Sequence, residues 1–499
     1  MSEFPDLTRR QVLSGAAALG TALLPGCGSS SPIGTAHAAQ PAAPHGDFTT
    51  QVVVVGAGFA GLAAARALVA SGHEVLVVEA RDRVGGRTLN HAVTAGNATP
   101  GTIVEVGGQW VGPTQDRVLA LIDELGLATF KTYNDGKLVD FRDARRSEYS
   151  GRIPPGALIG AAEAQVAIIR LNGMAADVPL DAPWMAPKAV EWDSQTFQTW
   201  IDANVISGNG KALLQLAIES VFSAQPRDLS LLHVLFYIHS AGSLDNLINT
   251  ADGAQDSRIV GGTQRIALAM AAALGERVLL QAPVERIEHG DDGVVVRGAQ
   301  FSVRAQRAIV AIPPTLAGRI RYAPALDGLR DQLTQRMPMG TVIKVQCVYP
   351  TPFWREAGLN GQATSDTGPV KLTFDNSPPD ASVGVLMGFI EGEDGRKALR
   401  QTRDARMQGT IESFVRYFGE AARQPLDYIE QSWAAEEWTR GCYAGYFPPG
   451  VWLDYGPALR APIGRLHWAG TETATVWNGY LDGAVRSGEH AAQEVAAAL

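Results

Sequence analysis

The feature that most constrains the fold is a glycine-rich stretch from Val52 to Arg87. It begins with four valines, which indicate a strand buried on both faces. Gly56, Gly58 and Gly61 follow at G-x-G-x-x-G spacing, and an apolar helical pattern comes directly after them. A second buried strand ends at Glu79. The stretch therefore predicts a β-α-β unit whose helix N-terminus binds the pyrophosphate of a dinucleotide.

The three glycines and the acid have separate roles in such a unit. Gly56 permits the tight turn, Gly58 lets the backbone approach a pyrophosphate, and Gly61 lets helix and strand pack closely. A carboxylate at the end of the second strand, here Glu79, accepts hydrogen bonds from a ribose diol and disfavours a 2′-phosphate. The sequence therefore predicts a dinucleotide other than NADP.

After the acid, the chain continues with a second pair of glycines among arginines, namely Arg81, Arg83, Gly85, Gly86 and Arg87. These residues bring further backbone N–H groups and positive charge to the same pyrophosphate. The extension favours FAD over NAD and is similar to that of FAD-binding amine oxidases and glutathione-reductase-like flavoproteins. We therefore expect an α/β fold with a Rossmann-like, glutathione-reductase-like FAD-binding domain.

The composition is that of a globular protein long enough for two or three domains. The chain has 499 residues, of which 46% are hydrophobic and 19% charged. Its formal net charge of −9 argues against nucleic acid as a partner. Three cysteines are too few for a disulfide framework. The nine histidines are scattered, and the sequence predicts neither a metal site nor a Ser/His/Asp triad.

Residues 1–38 have the features of a twin-arginine export signal. Thr8–Leu13 contains the arginine pair, Val12–Leu24 is a modest apolar segment, and Ala36–Ala38 is an A-x-A cleavage site. The apolar segment is too short to span a bilayer stably, and we expect no transmembrane segment elsewhere. We therefore expect the twin-arginine export machinery to be a partner and the mature protein to be located in the periplasm. Cleavage before Cys27, which follows a loose lipobox, is an alternative that predicts a lipoprotein.

Composition and periodicity divide the remaining chain into a linker and two interleaved domains. Residues 39–50, and Pro41–Thr50 in particular, are interpreted as the linker. The FAD-binding domain is expected to consist of three segments, 51–130, 257–335 and 436–499. The substrate domain is expected to consist of two segments, 131–256 and 336–435. Segment 131–256 is predicted to be mainly helical, because no β-α-β alternation is visible. The substrate domain is therefore expected to be α+β, with a mixed sheet and inserted helices.

The same patterns predict individual elements. Helices are expected over Ala60–Ser71, Asp116–Leu125, Pro155–Met174, Gln195–Asn204, Leu213–Ser220, Arg265–Leu274, Thr402–Phe418 and Tyr480–Ala498. Strands are expected over Val278–Gln281, Val284–His289, Gly293–Arg297, Ala308–Ile312, Thr341–Tyr349, Val370–Asp375 and Ser382–Ile390. Gly72 is placed to cap the first helix.

Further glycine-rich stretches lie far from the first one. Glu105–Pro113 is one of them, and Arg440–Gly450 and Leu466–Tyr480 lie close to the end of the chain. Glycine lets the backbone approach a flat ligand closely. The last stretch leads into the final helix, whose N-terminus is expected to face the cofactor.

With these stretches in view, the chain resembles the flavin monoamine oxidases, and among them the animal enzymes. The likeness covers nearly everything after the leader and depends on motifs that are specific in combination. They are the dinucleotide fingerprint, Gly107–Gln115, Asp181–Trp184, Val260–Gly262, Ile312–Leu316, Val342–Lys344, Cys442–Gly450 and Ala469–Tyr480.

The resemblance implies the residues that hold FAD, which are Gly56, Gly58, Gly61, Glu79, Arg81, Gly86, Arg87, Gly108, Gln109, Trp110, Val284, Cys442, Gly470, Thr471, Glu472 and Tyr480. Cys442 matches the cysteine that forms a thioether with the flavin's 8α-methyl group. However, Thr439-Arg440-Gly441 stands where the family has Ser-Gly-Gly. Because some relatives bind FAD without a covalent link, non-covalent binding stays open. The other cysteine of the folded part, Cys347, is expected in the core.

The resemblance also implies catalytic residues. Tyr443 and Tyr480 match two aromatic rings that sandwich the substrate amine, exclude water and align the α-carbon. Lys344 matches a lysine that holds a water near the flavin N5 and assists reoxidation. A lysine inside an apolar strand is costly to bury without a function. The expected substrate cavity is apolar and aromatic with one amide, and consists of Leu247, Ile248, Gln255, Leu372, Phe374 and Phe389.

The activity that the resemblance implies is oxidative deamination of a neutral primary amine, aromatic or aliphatic. Hydrogen from the α-carbon passes to the flavin, the imine hydrolyses to aldehyde and ammonia, and oxygen reoxidises the flavin to give hydrogen peroxide. A homodimer is a further expectation.

Three alternatives remain open at this point. An L-amino-acid oxidase on the same fold needs a cationic residue for the carboxylate, which the aligned positions do not offer. A polyamine oxidase usually has acidic residues near the entrance. A non-catalytic flavin-binding electron-transfer module belongs to another class, and the presence of Lys344, Tyr443 and Tyr480 argues against it.

Overall fold

The computed structural model describes residues 43–151 and 158–499. The predicted export signal at 1–38, with Cys27 and its cleavage sites, lies outside the described residues. So does the expected start of a helix at Pro155. Among the described residues, no helix combines the length and the apolar character that a bilayer crossing needs.

The described chain contains both strands and helices. The strands are β1 (Gly46–Thr49), β2 (Val52–Val55), β3 (Val75–Val78), β4 (Asn90–Ala92), β5 (Ile103–Glu105), β6 (Trp110–Val111), β7 (Thr129–Lys131), β8 (Lys137–Arg142), β9 (Arg145–Tyr149), β10 (Ser257–Ile259), β11 (Val278–Leu279), β12 (Arg286–Gly290), β13 (Gly293–Arg297), β14 (Phe301–Ala305), β15 (Arg307–Val310), β16 (Arg321–Ala323), β17 (Val342–Tyr349), β18 (Leu359–Ser365), β19 (Leu372–Asp375), β20 (Gly384–Glu391), β21 (Asp427–Ser432) and β22 (Leu466–Trp468).

The α-helices are α1 (Phe59–Ala70), α2 (Asp116–Glu124), α3 (Leu158–Ala176), α4 (Ala189–Asp193), α5 (Phe197–Asn204), α6 (Gly208–Phe222), α7 (Leu231–Ser240), α8 (Leu244–Ile248), α9 (Gln264–Leu274), α10 (Pro314–Ala317), α11 (Gly328–Arg336), α12 (Phe353–Glu356), α13 (Gly392–Ala398), α14 (Arg403–Phe418), α15 (Val451–Tyr455) and α16 (Leu481–Ala497). Several predicted boundaries agree with these within one to three residues, among them those of α1, α2, α9, α14 and α16.

The first of two main sheets has five parallel strands in the order β11-β3-β2-β15-β22. Both of its faces are covered, as the run of four valines predicts. Val52 and Val54 pack into a core with α1 and α16, whereas Val53 and Val55 pack against the sheet β1-β14-β13-β12-β16. Each buried valine contributes about 1.5–3 kcal/mol to stability. This is the Rossmann-like part of the predicted α/β fold.

Small residues let α1 pack closely in this layer. A Cβ atom at Gly488 of α16 would lie 2.1 Å from the carbonyl oxygen of Ala60 in α1. The C-terminal end of α1 has the predicted glycine cap, because Gly72 has a φ of +86° and its N–H donates to the Val69 carbonyl at 3.0 Å. The helix is therefore fixed in both its distance from α16 and its end point.

The interpretation of residues 39–50 as a linker is wrong for part of that range. Gly46–Thr49 forms β1, which pairs in parallel with Phe301–Arg304 of β14. Phe48 packs against the core beneath that sheet. A single apolar residue among polar neighbours gives almost no local signal, so the strand depends on a partner about 255 residues further along the chain.

The second main sheet is mixed and has seven strands in the order β21-β17-β20-β19-β18-β8-β9. Its strands β17, β19 and β20 were predicted, and every residue of β17 and β20 is buried. Together with the helical segment α3 to α8, this sheet confirms the expected substrate domain with a mixed sheet and inserted helices.

Segment 131–256, which was predicted to be mainly helical, also contains two strands that the sequence patterns did not select. β8 and β9 lie within it, and β8 joins the substrate sheet through a parallel pairing with β18. The outer strand β9 has the sequence R-R-S-E-Y and is mostly exposed, so it lacks the apolar alternation by which strands are recognised. Both strands depend on long-range pairing that local pattern does not reveal.

Candidate active site

One cavity brings together most of the residues selected from sequence. Its lining includes Gly56, Gly58, Glu79, Arg81, Gly86, Arg87, Gly108, Gln109, Trp110, Leu247, Ile248, Gln255, Lys344, Leu372, Phe374, Phe389, Cys442, Tyr443, Gly470, Thr471 and Tyr480. The residues come from the elements around both main sheets and from the last sixty residues of the chain. The cavity therefore runs from the parallel sheet to the substrate sheet.

Three selected residues do not line this cavity. Gly61 lies in the first turn of α1, and Glu472 lies behind Arg87. Val284 lines a neighbouring cavity, which shares Gly56, Glu79 and Arg81 with the main one. Val284 is thus at the end of the site where the β-α-β unit begins, whereas Gly61 and Glu472 act through packing and ion pairing.

The loop from Gly56 to Gly61, together with Glu79, forms what we call the dinucleotide cradle. Gly56 has a φ of +103°, and a Cβ atom at Gly61 would lie 1.9 Å from the Gly56 carbonyl oxygen. At Gly58, by contrast, a Cβ atom would have no neighbour within 4 Å, and no side chain caps α1. The cradle thus leaves the N-terminus of α1 open toward the cavity, where backbone N–H groups bind phosphate.

Glu79 organises the cradle from the second strand. Its carboxylate accepts hydrogen bonds from the N–H of Ala57 at 2.7 Å and of Arg81 at 3.0 Å. The Arg81 guanidinium in turn donates to Thr439 Oγ1 at 2.5 Å and lies 3.4 Å from Glu436. These contacts tie the cradle to the segment before Cys442. Sequence reasoning missed Thr439 and Glu436 as partners, because nothing local links positions so far apart.

Arg87 joins the cradle to the C-terminal segment. Its guanidinium donates to both carboxylate oxygens of Glu472, at 2.6 and 3.0 Å, and to the carbonyl oxygen of Tyr443 at 2.9 Å. Glu472 also accepts from the N–H of Gly445 at 3.2 Å. Burial opposes ionisation of Glu472, but the Arg87 charge outweighs it and holds the pKa of that carboxyl below its usual value.

Lys344 lies in β17 and is almost fully buried, with 3% of its surface exposed. Its ammonium donates to the Gly107 carbonyl at 3.0 Å and to Gln109 Oε1. The Gln109 amide continues this chain of hydrogen bonds by donating to Asn376 at 2.8 Å. Burial lowers the pKa of Lys344 to about 7. A lysine that titrates near neutral pH is therefore held at the cavity wall by acceptors from the glycine-rich stretch after β5.

The two tyrosines reach the cavity from different supports. The Tyr443 hydroxyl donates to Glu391 Oε1 at 2.8 Å, and its ring meets Phe389 edge-on with centroids 5.9 Å apart. Tyr480 instead packs against Trp477, with centroids 4.9 Å apart, and against Tyr237 at 6.1 Å. The sequence patterns did not select Glu391. The one local signal is that it lies two residues after Phe389 in a strand and so faces the same side.

The far end of the cavity, which we call the substrate end, is apolar and aromatic. Trp110 and Phe374 pack with ring centroids 4.9 Å apart, and Phe389 lies 6.2 Å from Trp110. Gln255 supplies the expected amide, and its Nε2 donates to the Leu247 carbonyl at 3.0 Å. Further lining residues that were not predicted are Ser220, Val221, Tyr237 and Ala254. Of the described residues that line the whole cavity, only Glu79, in the cradle, carries a carboxylate.

Cys442 and Cys347 occupy different environments. Cys442 lines the main cavity beside Tyr443, and burial raises the pKa of its thiol to about 12. Cys347 lies in β17 with no exposed surface, which confirms its predicted place in the core. Of the two cysteines that the structure describes, Cys442 is therefore the one placed to meet a ligand in the cavity.

The residues of the cavity fit an FAD on two independent grounds. The glycines of the cradle leave room for a phosphate where side chains would fill it. In addition, the buried atoms Trp110 Nε1 and Arg81 Nε, which belong to residues predicted to hold FAD, have no hydrogen-bond partner within the described chain. Buried polar atoms normally have partners, so these point to a ligand. Within residues 43–151 and 158–499, His, Cys, Asp and Glu form no group suited to a metal ion.

Comparisons with known proteins agree with this geometry. Residues 59–496 match the model of the family described as flavin containing amine oxidoreductase. The flavin-containing monoamine oxidase AofH, as it is named in Mycobacterium tuberculosis, is 44% identical over 91% of this chain and 98% of its own length. Amine oxidase [flavin-containing] B of Sus scrofa is 37% identical over 90% of this chain and 86% of its own. A solved structure of wild-type putrescine oxidase with bound putrescine is 35% identical, has a TM-score of 0.86, and is covered completely by 90% of this chain.

Proposed function

This chain belongs to the flavin containing amine oxidoreductase family and is an enzyme that oxidatively deaminates amines, and from that premise we propose that its substrates are primary amines with apolar side chains. The observation that carries the proposal is the substrate end, where Leu372, Phe374 and Phe389 form an apolar wall beside Lys344 and the two tyrosines. Apolar and aromatic walls favour an aromatic or aliphatic tail over a charged one.

The residues of the chain bind, orient and dehydrate the amine. Tyr443 and Tyr480 are the walls of an amine slot in which the α-carbon is aligned and water is excluded. FAD held by the dinucleotide cradle would supply the redox chemistry, in which the α-carbon loses hydrogen and oxygen is reduced to hydrogen peroxide. Neutral amine enters the slot more readily than ammonium, because the surrounding wall offers no carboxylate to balance a charge.

Lys344 is proposed to act in the reaction with oxygen. Its ammonium is the one cationic group at the substrate end among the described lining residues, and Gln109 and Gly107 hold it in place. A positive charge there stabilises the negative charge that builds up on oxygen as it accepts electrons. The family membership supports oxygen as the acceptor.

We further propose that Cys442 carries the flavin through a thioether to its 8α-methyl carbon. The support is the position of the buried thiol on the cavity wall, next to Tyr443. Acid-denatured protein should then keep its yellow colour after gel filtration, and Cys442→Ala should release it. Release of all colour from the unmodified protein would contradict a covalent link.

A diamine is the second candidate substrate, because a putrescine oxidase is among the similar structures. Its second ammonium needs a carboxylate in the cavity, and the described substrate end has none. A panel of benzylamine, phenethylamine, hexylamine, putrescine and phenylalanine, followed as peroxide release, separates the candidates. We expect kcat/KM for the apolar amines to exceed that for putrescine by about 100-fold, the scale of one unpaired charge or hydrogen bond. Faster oxidation of putrescine than of any apolar amine would reverse the assignment.

Export by the twin-arginine route to the periplasm is proposed on the pattern Thr8–Leu13 and the cleavage signal Ala36–Ala38. Replacing Arg9 and Arg10 by lysine should leave the protein in the cytoplasmic fraction with its leader intact. Cleavage after Ala38 gives a mature protein that is roughly a dozen residues shorter than cleavage before Cys27, and only the second product carries a lipid. The mass of the mature protein therefore distinguishes the two cleavage sites.

A homodimer is a further proposal, to be tested by light scattering.

A further inference from the structure

We propose that Glu391 is a positioning residue for amine oxidation, which fixes the ring of Tyr443 by accepting a hydrogen bond from its hydroxyl. The inference rests on the proposed role of Tyr443 as a wall of the amine slot. It goes beyond that role by naming a residue outside the cavity lining that controls how the slot is shaped.

Tyr443 is held at two points along its length. Its carbonyl oxygen accepts from Arg87 at 2.9 Å, and its hydroxyl donates to Glu391 Oε1 at 2.8 Å. The first bond fixes the backbone and the second fixes the far end of the side chain. With both ends held, the ring cannot tilt without breaking one of the bonds. Since a displacement of about 1 Å costs on the order of 100-fold in rate, a smaller tilt of the ring should cost about tenfold.

The strand β20 explains how an acid reaches this place. Glu391 is its last residue and Phe389 lies two positions earlier, so both side chains face the same side of the sheet. Phe389 forms the cavity wall, while Glu391 lies behind Tyr443. One strand thus supplies both the ring that Tyr443 packs against and the acceptor that Tyr443 donates to.

The contact between Glu391 and Tyr443 is buried. Glu391 is 8% exposed, and Ser223 Oγ donates to the same oxygen at 3.4 Å. Burial raises the pKa of Glu391 to about 8, although the bonds from Tyr443 and Ser223 oppose that rise. Loss of the acceptor would leave the Tyr443 hydroxyl with the nearby Ser223 hydroxyl as its partner, which favours a different ring orientation.

The surroundings supply a matched control. Glu219 of α6 is buried to a similar degree, at 4% exposed, and also lies close to Glu391. Its partners are Gln215, at 2.5 Å, and Lys371, whose ammonium also binds Asp394 at 2.7 Å. Glu219 therefore tests the loss of a buried carboxylate in the same neighbourhood without a direct bond to the tyrosine.

The test compares Glu391→Leu, Glu391→Gln and Glu219→Gln in the flavin-loaded full chain. Kinetics with benzylamine are measured beside the Kd of α,α-dimethylbenzylamine, which lacks the hydrogen that is removed and so reports binding alone. We expect Glu391→Leu to lower kcat/KM about tenfold and to weaken binding of the analogue, with flavin content unchanged. Glu391→Gln, whose amide oxygen still accepts, should recover activity to within about threefold of the parent, and Glu219→Gln to within about twofold.

Tyr443→Phe tests the same bond from its other end. It should give a loss close to that of Glu391→Leu, and the two losses should not add in the double variant. A folded Glu391→Leu with kcat/KM within twofold of the parent would overturn the inference, and so would full additivity. If Glu391→Leu does not fold, Tyr443→Phe decides alone, and a change below twofold overturns the inference. Unchanged amine kinetics in Tyr443→Ala would instead refute the amine slot itself.

Discussion

The dinucleotide cradle and the substrate end of the same cavity are built from different kinds of atoms. The cradle consists mainly of backbone groups exposed by glycines, together with one carboxylate, Glu79. The substrate end consists of side chains from separate strands and helices, such as Phe374, Phe389 and Tyr480. Backbone sites tolerate almost no change at the glycines but recur in many proteins, whereas side-chain sites change freely and decide specificity. Changes in the cradle should therefore act on flavin content, and changes at the substrate end on turnover.

The largest effect is expected in the cradle, at Gly61. A Cβ atom there would lie 1.9 Å from the Gly56 carbonyl oxygen, so Gly61→Ala must displace the turn that we expect to bind phosphate. We expect a protein with less than a tenth of the parent flavin content, or none that is soluble, measured as the ratio of flavin to protein absorbance. Gly173→Ala is the control, because it lies in α3 with free space around its Cβ position. Alanine there should stabilise the helix by about 1 kcal/mol. Full flavin content in Gly61→Ala would show that the cradle is not the binding site.

The next effect concerns the ion pair that joins the two regions. Glu472→Leu leaves the Arg87 guanidinium without its buried partner, which costs about 3–5 kcal/mol of folding free energy. Because Arg87 also holds the Tyr443 carbonyl, we expect flavin content and turnover to fall together. Denaturant unfolding and the flavin ratio measure both. Loss of turnover with unchanged stability would mean that Glu472 has a direct part in the reaction.

Changes to the amine slot should separate the two regions most clearly. Tyr443→Ala and Tyr480→Ala remove a ring from the substrate end, and we expect kcat/KM for benzylamine to fall about 100-fold. Flavin content should fall far less than turnover does, since the cradle is untouched. Parallel losses of turnover and flavin would assign a structural role to the tyrosines.

The smallest effect is expected for the step with oxygen. Since burial lowers the pKa of Lys344 to about 7, its ammonium loses its proton as the pH rises through that value. Reoxidation of the reduced enzyme should therefore slow between about pH 6 and pH 8. Lys344→Met should be about tenfold slower at about pH 6, with no such pH dependence. A pH profile that is the same in both proteins would exclude Lys344 from the oxygen step.

The difference between the backbone groups of the cradle and the side chains of the substrate end also determines which site residues could be predicted from sequence. The cradle was predicted from spacing alone, because glycines at positions 56, 58 and 61 between strand and helix leave few other structures possible. The roles of Tyr443, Tyr480 and Lys344 came only from the family resemblance, since a tyrosine or a lysine in an apolar segment has no local signature of its task. Their presence in one cavity is a property of the structure.

Long-range partners account for what was missed. β1 and β8 form because they pair with β14 and β18, which lie more than 200 residues away. Glu391 was missed for the same reason, because its hydrogen-bond partner Tyr443 lies 52 residues further along the chain. Local patterns give the elements with buried faces, and contacts between distant segments give the edges of sheets and the supports of the site.

The central claim is that the amine slot at the substrate end, and not the cradle, controls the reduction of the flavin by the amine. Anaerobic mixing of the purified enzyme with benzylamine tests it most directly, with the flavin absorbance followed in time. The account predicts rapid bleaching in the parent protein, and bleaching about 100-fold slower in Tyr443→Ala and Tyr480→Ala at equal flavin content. Absence of bleaching in the parent with every apolar amine, or equal bleaching rates in all three proteins, would contradict it.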